Sequence, residues 1–130
     1  MGTERATVLI VEDNEQNMEL TSFLLEEAGY QVRQASSPAQ ATQEIAREKP
    51  HIVLMDMDLG GHDGLSFVAE LRGSPENDFP IVALTAHAMR GDRERFLKGG
   101  CTGYISKPIS TRTFAADVAA YLAPRGTDLA

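Results

Sequence analysis

Three short runs are apolar at every position: "VLIV" from Val8 to Val11, "IVLM" from Ile52 to Met55 and "IVAL" from Ile81 to Leu84. That pattern is expected of strands covered on both faces of a sheet. Two weaker segments, Tyr30 to Ala35 with alternating character and Gly103 to Ser106, read as strands at the sheet edges. Between these runs lie stretches of helical period. Leu20, Phe23 and Leu24 are taken to share one face of a first helix that Gly29 stops. Ser37 and Pro38 read as N-cap and first residue of a second, with Ala41 and Ile45 on its apolar side and Pro50 beyond its end. Leu65, Val68 and Ala69 mark a third, and Phe114, Val118, Tyr121 and Leu122 a last one after a cap near Ser110. Met89 to Lys98, with Gly91 inside it, is the weakest helical segment, and "GSPENDFP" is a surface loop.

Five strands alternating with five helices predict an α/β fold with a parallel sheet, because each parallel return needs a crossover. Ligands in such sheets gather at the carboxyl ends of the strands. Glu12 and Asp13 follow the first strand, Asp56 the third, Thr85 the fourth and Lys107 the fifth, so distant segments converge on one rim. Crowded carboxylates repel unless cations offset them, and one lysine is not enough. A hard divalent ion such as Mg²⁺ fits the remainder, since it accepts one or two carboxylates and completes its shell with water and phosphate oxygens. A carboxylate beside Mg²⁺, a lysine and a hydroxyl is an arrangement for accepting a phosphoryl group.

Length and charge narrow the picture. With 130 residues the chain is expected to form one domain over 6–122, with short tails at 1–5 and 123–130 and no output domain. It is 42% hydrophobic and 24% charged, with no apolar run near membrane-spanning length. A net charge of -7 argues against nucleic acid or acidic lipid as direct partners. The absence of a signal-like N-terminus and the single Cys101 favour a cytoplasmic location.

The stretches "VEDN" (Val11 to Asn14), "LMDMDLGGHDG" (Leu54 to Gly64), "LTAHAM" (Leu84 to Met89) and "GGCTGYISKPIS" (Gly99 to Ser110), all in order, resemble the bacterial response-regulator receiver domain. The wording is closest to stand-alone cell-cycle receivers and to receivers attached to hybrid histidine kinases. That resemblance implies a doubly wound, five-stranded parallel sheet of flavodoxin- or CheY-like (βα)5 type, with strand order 2-1-3-4-5. It also implies that Asp56 takes phosphate from the phosphohistidine of a kinase or phosphotransfer protein. Asp13 and Asp56 would then hold Mg²⁺, Glu12 largely through water and Asp58 through its backbone carbonyl. Lys107 would bind the phosphoryl group, the Lys107 to Pro108 peptide would be cis, and Thr85 and Tyr104 would form a switch. The readout would be a protein contact on the face of the fourth helix, fifth strand and fifth helix, and the protein would catalyse only its own phosphorylation and dephosphorylation.

Plainer roles compete residue by residue. Asp13 with Gln16 resembles a capping box, Asp58 a solvated loop carboxylate, Asp63 before Gly64 turn chemistry, Thr85 a helix cap, Tyr104 edge-strand packing, Cys101 a small buried hydrophobe and His87 an exposed loop residue. Gly60 stands where many receivers have proline, which with Gly61 leaves that loop freer. Three other functions compete: a receiver fragment of a hybrid kinase, a haloacid-dehalogenase-like phosphatase using Asp56-x-Asp58, and a docking module that takes no phosphate. The position of Asp-x-Asp after two strands and two helices tells against the phosphatase.

Overall fold

The structure, a computed structural model, describes residues 6–58, 63–86 and 91–122. Gly60, Gly61, His87, Met89 and both tails lie outside the described residues. The elements run β1 (Thr7–Val11), α1 (Glu15–Glu27), β2 (Gln31–Ala35), α2 (Pro38–Arg47), β3 (Ile52–Asp56), α3 (Gly64–Arg72), β4 (Ile81–Thr85), α4 (Asp92–Lys98), β5 (Gly103–Ser106) and α5 (Phe114–Leu122). All strands pair in parallel, in the order β2-β1-β3-β4-β5, so the two weakly patterned strands do form the edges.

Strand alternation divides the core between two layers. Val8, Ile10, Ile52, Leu54, Val82 and Leu84 meet α1 and α5 through Met18, Leu25, Phe114 and Val118. Leu9, Val11, Val53, Met55, Ile81 and Ala83 meet α2, α3 and α4 through Ala41, Phe67, Val68, Leu71 and Phe96. Burying each large side chain contributes about 1.5–3 kcal/mol, which explains why β1, β3 and β4 have no polar alternation.

Helix boundaries follow local chemistry. Ser37 caps α2 by accepting from the Gln40 amide, with Pro38 first in the helix, and α2 ends at Arg47 before Pro50. Asp63 does more than turn chemistry: it caps α3, taking the Leu65 amide on Oδ1 and the Ser66 hydroxyl on Oδ2. The residue that caps α1 is not Asp13, the plainer reading of that position. Asn14 is the cap of α1, with its Oδ1 2.8 Å from the Asn17 amide nitrogen.

Two apolar faces differ from expectation. On α1, Leu20 is 38% and Phe23 58% exposed, while Met18, Thr21, Ser22 and Leu25 are buried. Thr21 and Ser22 can face inward because their hydroxyls are satisfied, Thr21 donating to the Asn17 carbonyl at 2.8 Å and Ser22 accepting from Gln34 Nε2 at 2.9 Å. On α3, Ala69 is exposed, and Phe67 and Leu71 join Val68 in the core.

At the end of the sheet remote from the acidic rim, Arg72 joins two loops. Arg72 donates from Nε to the Gly100 carbonyl at 2.9 Å and from Nη1 to the carbonyls of Asn77 and Phe79, each at 2.8 Å. It thus ties the loop before β4 to the loop before β5. At β5 itself, the Tyr121 ring of α5 lies directly on Gly103, where an added Cβ would stand 2.3 Å from the ring.

Candidate functional site

Glu12, Asp56, Thr85 and Lys107 each end a strand or directly follow one. The Glu12 amide donates to the Ala35 carbonyl at 3.0 Å, the Met57 amide to the Leu84 carbonyl at 2.9 Å and the Lys107 amide to the Thr85 carbonyl at 2.8 Å. The sheet's hydrogen-bond ladder therefore runs one residue past the apolar core and fixes the rim. Asp56, the last residue of β3, and Glu12 are each only 2% exposed, and Thr85 is buried at the end of β4.

Carboxylate oxygens of Glu12, Asp13 and Asp56 lie within 4.8 Å of one another. Lys107 Nζ reaches across to Asp56 Oδ1 at 2.9 Å and stands 4.0 Å from Glu12 Oε1. The Asp58 amide donates to the same Oδ1 of Asp56 at 2.9 Å. The Asp58 side chain is exposed, and its charge is felt by Lys107. The Lys107 to Pro108 peptide is cis, as the resemblance implied. Tyr104 is half-buried on the α4 side of β5, opposite Ala83 and on the sheet face that Thr85 shares. Cys101 is buried, and burial pushes its thiol up to about 11, so it behaves as an inert small hydrophobe.

The electrostatics divide the two buried acids. Burial, then the hydrogen bond and charge of Asp56, push Glu12 up to about 7. Burial also works against ionised Asp56, but hydrogen bonds from Glu12, Lys107 and the Asp58 amide outweigh it and hold Asp56 below its ordinary value. Lys107 likewise resists burial through its contact with Asp56 and the charges of Glu12 and Asp58, which raise it. Without a cation beyond Lys107 the site keeps a proton on Glu12 below about pH 7, which limits the repulsion of crowded carboxylates. The donor set suits magnesium: all oxygen, three carboxylates, one of them exposed to keep waters in the shell.

A pH dependence follows. Glu12 has a higher pKa folded than the ordinary 4.5 expected of the unfolded chain. Between about pH 4.5 and about pH 7 the folded state then binds more protons, so stability falls as pH rises. The opposing contribution of Asp56, lost as pH falls through its depressed value, lies in a more acidic window. Denaturant unfolding in chelator is expected to show up to about 3 kcal/mol less stability at about pH 7.5 than at about pH 5, and Glu12→Gln to remove most of that slope. A flat profile in the wild type would show that Glu12 is not the proton holder.

Sequence reasoning assembled Glu12, Asp13, Asp56, Thr85 and Lys107 correctly at one rim. It did not foresee the Asn14 cap, nor the ring of Phe96 whose centroid lies 6.2 Å from that of Tyr104. Phe96 gives a signal only once α4 is known to be short.

Residues 8–119 match the family model of the response regulator receiver domain. Among curated proteins, the polar-differentiation response regulator DivK of Brucella ovis is 41% identical over 117 residues, covering 89% of this chain and 95% of that protein. The receiver domain of the sensor histidine kinase PA1611 from Pseudomonas aeruginosa PAO1, with a magnesium ion coordinated in its active site cleft, superposes with a TM-score of 0.81 at 32% identity, covering 92% of this chain and 98% of that one. The chemotaxis response regulator CheY4 of Vibrio cholerae shares the fold, with a TM-score of 0.85 at 24% identity over 91% of this chain and 99% of that one.

Proposed function

Because this chain belongs to the response regulator receiver family and so to two-component signalling, we propose that it acts there as a phosphoacceptor, with Asp56 taking the phosphoryl group of a partner phosphohistidine. The observation that carries this reading is the Asp56 carboxylate at a strand end, 2.9 Å from Lys107 Nζ and grouped with Glu12 and Asp13. The membership disfavours the haloacid-dehalogenase reading of Asp56-x-Asp58.

Asp13 and Asp56 would hold Mg²⁺ directly, Glu12 largely through water and Asp58 through its carbonyl. When bound, the ion supplies positive charge against the oxygens of the transferring phosphoryl group. A carboxylate oxygen of Asp56 attacks phosphorus in line as the P–N bond of the phosphohistidine breaks, its electron pair remaining on the imidazole. Lys107, already on Asp56, transfers its ammonium hydrogen bond to a phosphoryl oxygen. The Thr85 hydroxyl then closes on another oxygen, and Tyr104 turns inward behind it. The shift biases the face of α4, β5 and α5 toward a downstream protein.

The donor is a histidine kinase or a histidine phosphotransfer protein. The net charge of -7 supports protein partners over nucleic acid or membrane. No helix among the described residues is long and apolar enough to cross a membrane, which is consistent with work in the cytoplasm.

Incubation with acetyl phosphate, read by intact mass, is expected to add one phosphoryl group in Mg²⁺ and none in chelator. Equal labelling in chelator would remove the metal from the reading. No labelling under either condition would favour the docking module, and steady turnover of phosphate esters would favour the phosphatase.

A further inference from the structure

Helix α4 is seven residues long and buries one side chain, Phe96, 2% exposed, among its residues. Gly91, at φ +94, precedes the helix and Gly100, at φ +112, follows it. Both are backbone conformations that side-chain-bearing residues rarely adopt. The helix is therefore set between two glycine joints and seated on the sheet by one ring. That ring faces Tyr104, with centroids 6.2 Å apart and planes inclined by 50°, within the range of attractive aromatic pairs. Toward the surface, the Arg95 guanidinium lies 5.0 Å from the Phe96 centroid and pairs with Asp92 at 3.3 Å. Behind it, the Cys101 amide donates to the Phe96 carbonyl at 3.0 Å, so the ring's backbone is tied to the segment that becomes β5.

We propose that Phe96 is the positioning residue of the switch: its ring holds Tyr104 in its present place, and seats α4 by the same contact, so that Tyr104 cannot turn inward without loosening α4. This rests on the reading of Tyr104 as a switch that follows phosphorylation of Asp56. The register explains how the two sites connect. Tyr104 pairs with Ala83 and Ser106 with Thr85, which puts Phe96, Tyr104 and Thr85 in sequence along one face of the sheet. An aromatic pair of this kind favours the present position by about two- to tenfold over one in which the rings part. Replacing the ring by an aliphatic side chain keeps the seat apolar but removes that preference.

The protein has three tyrosines, Tyr30, Tyr104 and Tyr121, so fluorotyrosine labelling of the full chain gives three fluorine resonances, and Tyr104→Phe identifies the one to follow. In wild type the Tyr104 resonance is expected to move on phosphorylation with acetyl phosphate and Mg²⁺. In Phe96→Leu it is expected to lie part-way along that path before phosphorylation, with the minor position about two- to tenfold more populated. The extent of Asp56 phosphorylation should be unchanged. Phe96→Met serves the same purpose should the leucine variant melt too low to label. A wild-type resonance that stays still sinks the switch reading and the proposal together. A wild-type resonance that moves, with both variants tracking it before and after phosphorylation, overturns the proposal alone. Equal displacement of the Tyr30 and Tyr121 resonances in the variants also overturns it, because it reports general loosening of the fold.

Discussion

Asp56→Asn is expected to abolish phosphoryl acceptance from acetyl phosphate while leaving the protein folded. The amide is close in size and shape to the carboxylate, but it is a poor nucleophile toward phosphorus. No other acid can take over at the same place. Glu12 stands 4.0 Å from Lys107 where Asp56 stands 2.9 Å away, and the Asp13 side chain is exposed on the rim. The substitution also removes one of the groups that raise Glu12, so Glu12 should ionise more readily and become the nearest anion for Lys107, now 4.0 Å away. Stability should thus fall by less than the about 3–5 kcal/mol that breaking a buried pair costs, since a charged partner remains in reach of Lys107. Intact mass and a denaturant melt check both parts. Labelling of the variant to wild-type extent would take Asp56 out of its role.

Lys107→Met is expected to have the second largest effect, and its cost should depend on pH. Methionine keeps the apolar length of the side chain and removes the ammonium that stands 2.9 Å from Asp56. In an intermediate dielectric that attraction is about 4 kcal/mol at contact before desolvation is subtracted. The Lys107 side chain is 17% exposed and that of Asp56 2%, so solvent screens the pair only in part. Removing one member of a buried pair costs about 3–5 kcal/mol when the other keeps its charge. Here Asp56 keeps its charge, because it is held below its ordinary value, and it is Glu12 that takes up a proton in acid and spares Asp56 a second negative neighbour. The variant should lie about 3–5 kcal/mol below wild type in chelator, with the larger deficit at about pH 8, where Glu12 is ionised, and the smaller at about pH 5. Urea unfolding at both pH values tests this, and an equal deficit at both would mean that the proton on Glu12 is not coupled to the lysine. Labelling by acetyl phosphate should slow by about a hundredfold, the usual cost of one missing positioned donor to a transferring oxygen.

The strands were legible because a sheet covered on both sides requires apolar residues at every position, and "VLIV", "IVLM" and "IVAL" meet that requirement. The rim was legible for a related reason. In a parallel sheet all carboxyl ends share an edge, so Glu12, Asp56, Thr85 and Lys107 must be neighbours once their strands are in register. The faces of α1 and α3 were harder to read. Counting apolar residues placed Leu20 and Phe23 inward, but Thr21 and Ser22 hold that place because the Asn17 carbonyl and Gln34 satisfy their hydroxyls. Apolar periodicity carries no record of such partners. The Asn14 cap left no clear trace for a similar reason: Asp13 and Asn14 are both good caps, and only the chain's turn into α1 decides which side chain reaches the Asn17 amide.

Gly103 has a consequence beyond the room it makes for an aromatic ring. With no side chain between them, the strand and the last helix touch backbone to ring, and the Tyr121 hydroxyl stands 3.4 Å from the carbonyl of Tyr104. The same residue that offers its ring to Phe96 on one side of the sheet therefore offers its main chain to α5 on the other. The edge strand is gripped like a lever between two supports, and motion at its midpoint is felt on both flanks of the molecule at once.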